Sequence, residues 1–329
     1  MNAPEPLPPR RVSTKTAVAP DTRLEWPVTV ARGPLLWRYV ISLAVTHALA
    51  LLVVLPWLFS WTSVVLFAIG VIFFGQGINL GYHRLLAHNS LAVPKWMEHA
   101  LVVLALCNSQ DTPVKWVTSH RHHHKFSDVQ ADTHSPMAGF WWSHMGWLFL
   151  QNSATRGVLA YKTYCHDLID DPFYRRLERD WRFPVAIYLA HALLFYAVGV
   201  AIGWIGTGTF VGGIQLGLSF LVWGVILRTV VVWHITWAIN SVTHVFGYRS
   251  YDTRENSRNN WLLGYVASGE GWHNNHHHDS ASASNRHRWW EFDLTWCVIW
   301  TLERLGLATK VIRPRAVRHA ARRADAETR

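Results

Sequence analysis

The chain has 329 residues, half of them hydrophobic and 20 of them tryptophan, with a formal net charge of +10. Charged residues make up only 16%, below the roughly 25% of soluble domains, which points to one large membrane-embedded domain rather than a soluble enzyme. The positive excess lies in the tails and beside apolar stretches without any RNP, zinc-finger or helix-turn-helix pattern, so no nucleic-acid partner is expected. Cys107, Cys165 and Cys297 are too few and too far apart for a disulfide framework or a thiolate metal site.

Residues 1–33 hold several prolines and little hydrophobic patterning and read as a basic, disordered arm. No short apolar core with a small-residue cleavage site follows the start, so the arm does not read as a signal peptide. Leu35–Phe59 and Thr62–Leu80 are each apolar enough to cross a bilayer, which takes about 20 helical residues. Ser60 and Trp61 join them as a hairpin. Residues 81–183 carry eleven Lys and Arg and no uninterrupted apolar run of that length. The shorter pieces Leu101–Cys107 and Phe140–Leu150 read as helices at the membrane surface, with Trp141, Trp142 and Trp147 as interfacial anchors.

Pro184–Ile205 is a third span. Val211–Asn240 is a fourth, interrupted by Arg228 and longer than a bilayer requires, so its last turns should lift Asn240 and His244 out of the membrane. Trp289, Trp290, Trp296 and Trp300 mark a further surface helix, and residues 311–329 form a basic tail, solvated or drawn to anionic lipid. The turns between paired spans are uncharged, which places both termini and the polar segments on the cytoplasmic side. The expected architecture is an all-α membrane protein: four transmembrane helices with a cytosolic helical cap, in a domain of residues 34–310. A bacterial inner membrane is its expected location.

The polar segments carry histidines in three groups. His83 and His88 lie in GYHRLLAH. In WVTSHRHHH, His120, His123 and His124 stand at i, i+3 and i+4 on one helical face, while His122 points elsewhere. His273, His276 and His277 repeat that spacing in GEGWHNNHHH. A lone histidine near a span is ordinarily an interfacial or hydrogen-bonded side chain, but two copies of one spacing need a common explanation, and rings facing each other around metal supply it. No HExxH is present, which removes the zinc-protease reading, and no repeated Glu-x-x-His marks a soluble di-iron bundle. Eight histidines exceed the four ligands that close a zinc site, so two metals sharing eight or nine imidazoles fit the count. An all-nitrogen site with open positions suits iron, which can activate dioxygen. A metal transporter would instead carry ionisable ligands deep within the spans. Placed at the mouth of an apolar bundle, the site implies a lipid-like substrate whose chain lies in a tunnel between helices.

HRLLAH, HRHHHKFSD, GFWWSHMGW, NSVTH at 240–244 and GEGWHNNHH together closely resemble the membrane fatty-acid desaturases of the stearoyl-CoA and delta-9 acyl-lipid type, over about residues 35 to 310. The resemblance implies an oxygen-dependent, di-iron enzyme that removes two hydrogens from a saturated acyl chain and leaves a cis double bond, at the delta-9 position. It implies His83, His88, His120, His123, His124, His244, His273, His276 and His277 as metal ligands, and Asn240 as a residue holding a metal through water. Trp116 and Trp237 match tryptophans beside the substrate, ordinary packing being the plainer alternative. His134 and His144 read as partners that orient ligand rings, and Asp128, Asp132 and Glu270 as acceptors for ligand imidazoles or as helix caps. Phe67 and Val71 are candidates for the blind end of the tunnel unless they merely face lipid.

Dioxygen and a separate electron donor such as a ferredoxin are implied as partners, because no haem-binding HPGG segment is fused here. The chain departs from the acyl-CoA branch where that branch has Arg-Asp before the second group and Arg-Lys after SHMGW. Thr118 and Ser119, and Gln151 and Asn152, stand there instead, which favours an acyl-lipid over an acyl-CoA substrate because Arg and Lys are the usual partners of phosphate. The alternative is a related histidine-box hydroxylase of an acyl chain or alkane, since the ligands alone do not show whether oxygen is inserted.

Overall fold

The fold comes from a computed structural model that describes residues 23–31 and 33–327. In chain order, α1 (Trp37–Val54) and α2 (Trp61–Ala87) cross the bilayer as a hairpin, followed by α3 (Lys95–Leu106), α4 (Pro113–Phe126) and α5 (Pro172–Arg179). A second membrane hairpin, α6 (Arg182–Thr207) and α7 (Phe210–His244), leads to α8 (His273–His278), α9 (Leu294–Arg304) and α10 (Arg315–Glu327). Among the described residues there is no strand, and the four spans are the helices long and apolar enough to cross a membrane.

The span limits follow local chemistry. α2 begins where the Ser60 hydroxyl accepts from Ser63 N at 3.1 Å, an N-cap that satisfies one free amide. α1 stops short of the expected Phe59 because Pro56 cannot continue it and Leu55 turns extended. α2 instead runs past the expected Leu80 to Ala87, since its polar end is enclosed by protein rather than by lipid. α7 has 35 residues, about 52 Å of helix at 1.5 Å per residue, against a hydrocarbon core of about 30 Å. Its last turns therefore project, as the length of the apolar run leads one to expect.

Only 11% of the apolar windows of α1 and α6 is buried, so side chains such as Ile41, Val45, Leu193 and Val198 form the lipid-facing surface. A large packed core gathers around the C-terminal end of α2. Leu80, Tyr82, Leu85 and Leu86 of α2 meet Val102 and Leu106 of α3, Val114 and Val117 of α4, Leu177 of α5 and Ile299 of α9. Gly77 makes the α2–α3 approach possible, because a Cβ there would lie 2.3 Å from Ala105 N. Phe140–Leu150 is broken at Met145 into Phe140–His144 and a 3-10 turn, Gly146–Phe149, instead of forming one surface helix.

The disorder expected of the N-terminal arm falls, for residues 1–22, outside the described residues. From Arg23 to Ala31 the chain packs beside this broken segment: Leu24 N donates to Met137 O at 2.9 Å, Ala31 N donates to Gln151 O at 2.8 Å, and Trp26 stacks on Trp142. The C-terminal tail is helical over α10 and is tied down at its start, where Arg315 N and Arg318 Nη2 both donate to Asp279. Arg228 is fully buried inside α7 and has no carboxylate partner among the described residues. A charge at the middle of a span costs about 3 kcal/mol or more, so its bonds to neighbouring elements carry weight.

Candidate metal centre

The first histidine pair is separated by five residues, a spacing that an α-helix spreads over different faces. From Gly77 to Ala87 the end of α2 widens into π-helical turns, and His88 N donates to His83 O at 3.1 Å. Hydrogen bonds of the i→i+5 kind recur at functional sites, and here they bring the two rings to 4.8 Å between centroids. α4 starts at Thr112 and Pro113, with the Thr112 hydroxyl accepting from Lys115 N, and presents His120, His123 and His124 toward α8.

The nine expected histidines divide into two groups. His83, His88, His120, His124 and His276 have ring nitrogens within 4.8 Å of one another, and so do His123, His244, His273 and His277. α4 sends His120 and His124, one turn apart, to the first group and His123 to the second. α8 does the reverse: His273 and His277 join the second group and His276 the first. α7 reaches the second group through His244 at its projecting end, in the 3-10 turn Val242–His244.

Facing nitrogens are close: His88 to His120 Nε2 2.8 Å, His276 to His124 2.9 Å, and His83 to His276 and His244 to His273 3.1 Å. Imidazole nitrogens bound at about 2.1 Å and at right angles to one another on a metal stand about 3 Å apart. His83 Nδ1 lies 2.8 Å from Glu270, His123 Nδ1 2.9 Å from Asp132 and His244 Nδ1 2.8 Å from Asp128. With Nδ1–H donated to a carboxylate, Nε2 offers only a lone pair, and lone pairs converging in this way are relieved by a cation between them. The residues therefore fit a metal ion in each group.

Electrostatics agree. Burial, reinforced by neighbouring rings, holds His88, His120, His124, His273, His276 and His277 well below the usual imidazole range, so these rings are neutral donors at neutral pH. Burial pushes the Glu270 carboxyl up, but Arg84 and His83 more than reverse this and bring it down to about 2. Asp128 and Asp132 are likewise kept ionised against burial, chiefly by His244 and His123 respectively. Arg84 bridges Glu270 and Asp293, donating to each at 2.8 and 2.9 Å. That buried triad was not anticipated from sequence, although Arg84 directly follows His83.

Two cavities meet at the centre. The first encloses about 790 Å³ and the second about 490 Å³, open mouths included, and both are lined by Trp116, His120, Thr236 and Asn240. Trp116 stacks on the His120 ring at 5.0 Å, and Trp237 stacks on Trp233 at 5.7 Å in the wall of the first cavity. Phe67 and Val71 line neither cavity; Phe67 packs on Trp223. His134 stacks on His123 at 4.5 Å rather than donating to a ligand ring. His144 belongs to a different place, with its nitrogens 2.9 Å from Ser241 Oγ and 3.0 Å from His234. His122 does point away, toward Thr133 and Phe126.

Comparison with known proteins agrees with this geometry. The fatty acid desaturase family model matches residues 57–302. An sn-2 palmitoyl-lipid 9-desaturase of Nostoc sp. is 41% identical over 278 residues, 84% of this chain and 90% of its own length. An sn-1 stearoyl-lipid 9-desaturase of Synechocystis sp. is 39% identical over 279 residues, covering 84% of this chain and 80% of its own. An acyl-CoA 5-desaturase of Anemone leveillei is 41% identical over 266 residues, 80% of this chain and 75% of its own. With four apolar spans, paired histidine groups and similarity along most of its length, the chain belongs to the fatty acid desaturase family and is a membrane oxidoreductase that desaturates fatty acyl chains.

Proposed function

We propose that the enzyme holds two iron ions and introduces a cis double bond at the delta-9 position of acyl chains carried on membrane lipids. His83, His88, His120, His124 and His276 hold one ion. His123, His244, His273 and His277 hold the other, which Asn240 reaches through water. The active site and both termini face the cytoplasm of a bacterial inner membrane, and a separate carrier of the ferredoxin kind delivers the electrons. The observation that carries this reading is the division of nine imidazoles into two groups beside two adjoining cavities, with carboxylates behind three of the rings.

A saturated C–H bond is one that no side-chain base deprotonates. Bound iron supplies, with dioxygen, the oxidising power this step needs. In the overall balance, the acyl chain loses two electrons and two protons, the carrier supplies two more electrons, two further protons come from the solvent, and dioxygen is reduced to two waters. The protein positions and shields. Glu270, Asp132 and Asp128 fix the tautomer and direction of three ligand rings. Trp116, Trp237 and Thr236 wall the passage in which the chain lies and keep water from the reacting carbons.

The lipid preference rests on the mouth of the first cavity. Thr118 and Ser119 are buried, and the Thr118 hydroxyl is engaged with Cys165 Sγ at 3.1 Å. Lys115 is paired with Glu178 at 3.3 Å, and Arg156 lies over the Tyr39 ring whose hydroxyl donates to Asp111. Lys115 is thus already paired with a carboxylate and Arg156 is stacked on a ring, a poor match for the several phosphates of coenzyme A. Relatives named for lipid-linked 9-desaturation point the same way, although others are named for acyl-CoA.

The test supplies membranes containing the enzyme, iron, donor and dioxygen with either labelled dipalmitoyl phospholipid or labelled palmitoyl-CoA in a non-exchangeable thioether form. Label in a delta-9 lipid-bound product is the expected result. Conversion of the thioether alone would overturn the lipid assignment, and metal analysis of the purified protein checks the iron.

A further inference from the structure

We propose that Arg228 is a positioning residue: by clamping residues 107–111 against α7, it fixes the wall of the acyl passage beside the metal centre, and so which carbon pair is desaturated. The inference rests on the reading that the first cavity takes the acyl chain.

Arg228 lines neither cavity. Its bonds show what it holds. Nε donates to Gly224 O at 2.8 Å within its own helix, but Nη1 donates to Asn108 Oδ1 at 2.7 Å and Nη2 to Cys107 O at 2.8 Å. The guanidinium also lies 4.1 Å over the Phe74 ring of α2. Were α7 packing all that mattered here, an apolar residue of similar volume would serve as well or better, because a buried charge is rarely the most stable choice. The forked hold on the 107–111 loop is what an apolar residue does not reproduce.

That loop needs holding. Ser109 (φ 52°) and Asp111 (φ 69°) are non-glycine residues in the left-handed region, a conformation that persists only where the surroundings enforce it. Asn108 is fully buried and supplies the enforcement: its Nδ2 donates to Phe74 O at 2.8 Å, and its carbonyl accepts from Trp233 Nε1 at 2.7 Å. Next along, Gln110 Nε2 donates to Thr236 Oγ1 at 3.0 Å. Ser109, Gln110 and Asp111 thereby face Trp233, Thr236 and Trp237 across the cavity that adjoins His120 and Asn240. A continuous set of bonds runs from the buried guanidinium to the wall of the first cavity.

Misplacing a reacting group by about 1 Å costs on the order of a hundred-fold in rate, so a loosened cavity wall should let a neighbouring carbon pair compete. Wild type, Arg228→Lys and Asn108→Ser are expressed in a desaturase-deficient bacterium, and double bonds are located by mass spectrometry of dimethyl disulfide adducts. Both variants should raise the share of displaced double bonds about ten-fold over wild type. This ratio is independent of how much enzyme folds, so a merely structural role would lower total product without moving it. Asn108→Ser keeps the Arg228 charge and removes its side-chain acceptor on the loop, leaving only the Cys107 carbonyl, so it decides alone where Arg228→Lys does not accumulate. Variants that keep the wild-type double-bond position would overturn the proposal. A wild type that makes no double bond would overturn the acyl-chain reading itself.

Discussion

His123 differs from its neighbours on α4 in the company it keeps: His120 and His124 turn to one group, while His123 turns to the other and leans on Asp132. Under the proposed assignment, His123→Ala should abolish desaturation and remove at least one of the two metals while leaving the protein inserted, because no span depends on this ring. Metal analysis of the purified variant beside product analysis checks it, and a fully active variant would remove His123 from the ligand set. Acid should act on the same residues. His88, His120, His124, His273, His276 and His277 stay neutral in the fold because of burial and neighbouring rings, whereas the unfolded chain protonates them at about pH 6.5. The unfolded state then binds more protons, so folding stability declines as pH falls below about 6.5. Asp132 and Glu270, depressed in the fold, add to the loss as pH falls below about 4. The expected outcome is a melting temperature of metal-free protein in detergent that drops steadily from about pH 7 to about pH 5, and metal-loaded protein should release its metal in the same window. A flat profile would contradict neutral donor rings.

At the scale of elements, the α2–α3 crossing is the tightest test of the fold. Gly77→Ala places a methyl group against the Ala105 and Leu104 backbone and should destabilise the protein by about 1–3 kcal/mol, read as a lower melting temperature; an unchanged value would mean the helices are not in backbone contact. The four spans were legible in the sequence because apolar length declares itself without tertiary context. Their ends were not, since Ala87 is helical only because α3 and α4 cover it. The histidines were legible as a set, through the repeated i, i+3, i+4 spacing, and so were Asp128, Asp132 and Glu270 as acceptors. Their division was hidden, because it depends on how α4 and α8 cross. The five-residue step from His83 to His88 makes sense only once the π-helical turns are seen. His134 and His144 looked alike in sequence, yet one stacks on His123 and the other bonds to Ser241 and His234: His134 precedes the broken Phe140–Leu150 segment, whereas His144 ends its first helix.

For the whole molecule, orientation in the bilayer is open to a direct check. Cys297 on α9 is exposed, whereas Cys107 and Cys165 are buried, so the chain carries its own single reporter thiol. A membrane-impermeant maleimide should label inverted vesicles and spare right-side-out ones; the opposite pattern would put the cap on the outer face. Under the proposed two-ion assignment, the crossed supply of rings from α4 and α8, each feeding both histidine groups, has a consequence for cells short of the metal. On that assignment, an ion captured by either group would hold both helices and so favour the vacant seat for its companion. Scarcity should then divide the population into empty and fully charged molecules rather than half-filled ones, and output would dwindle with supply while the double bond stays where it was.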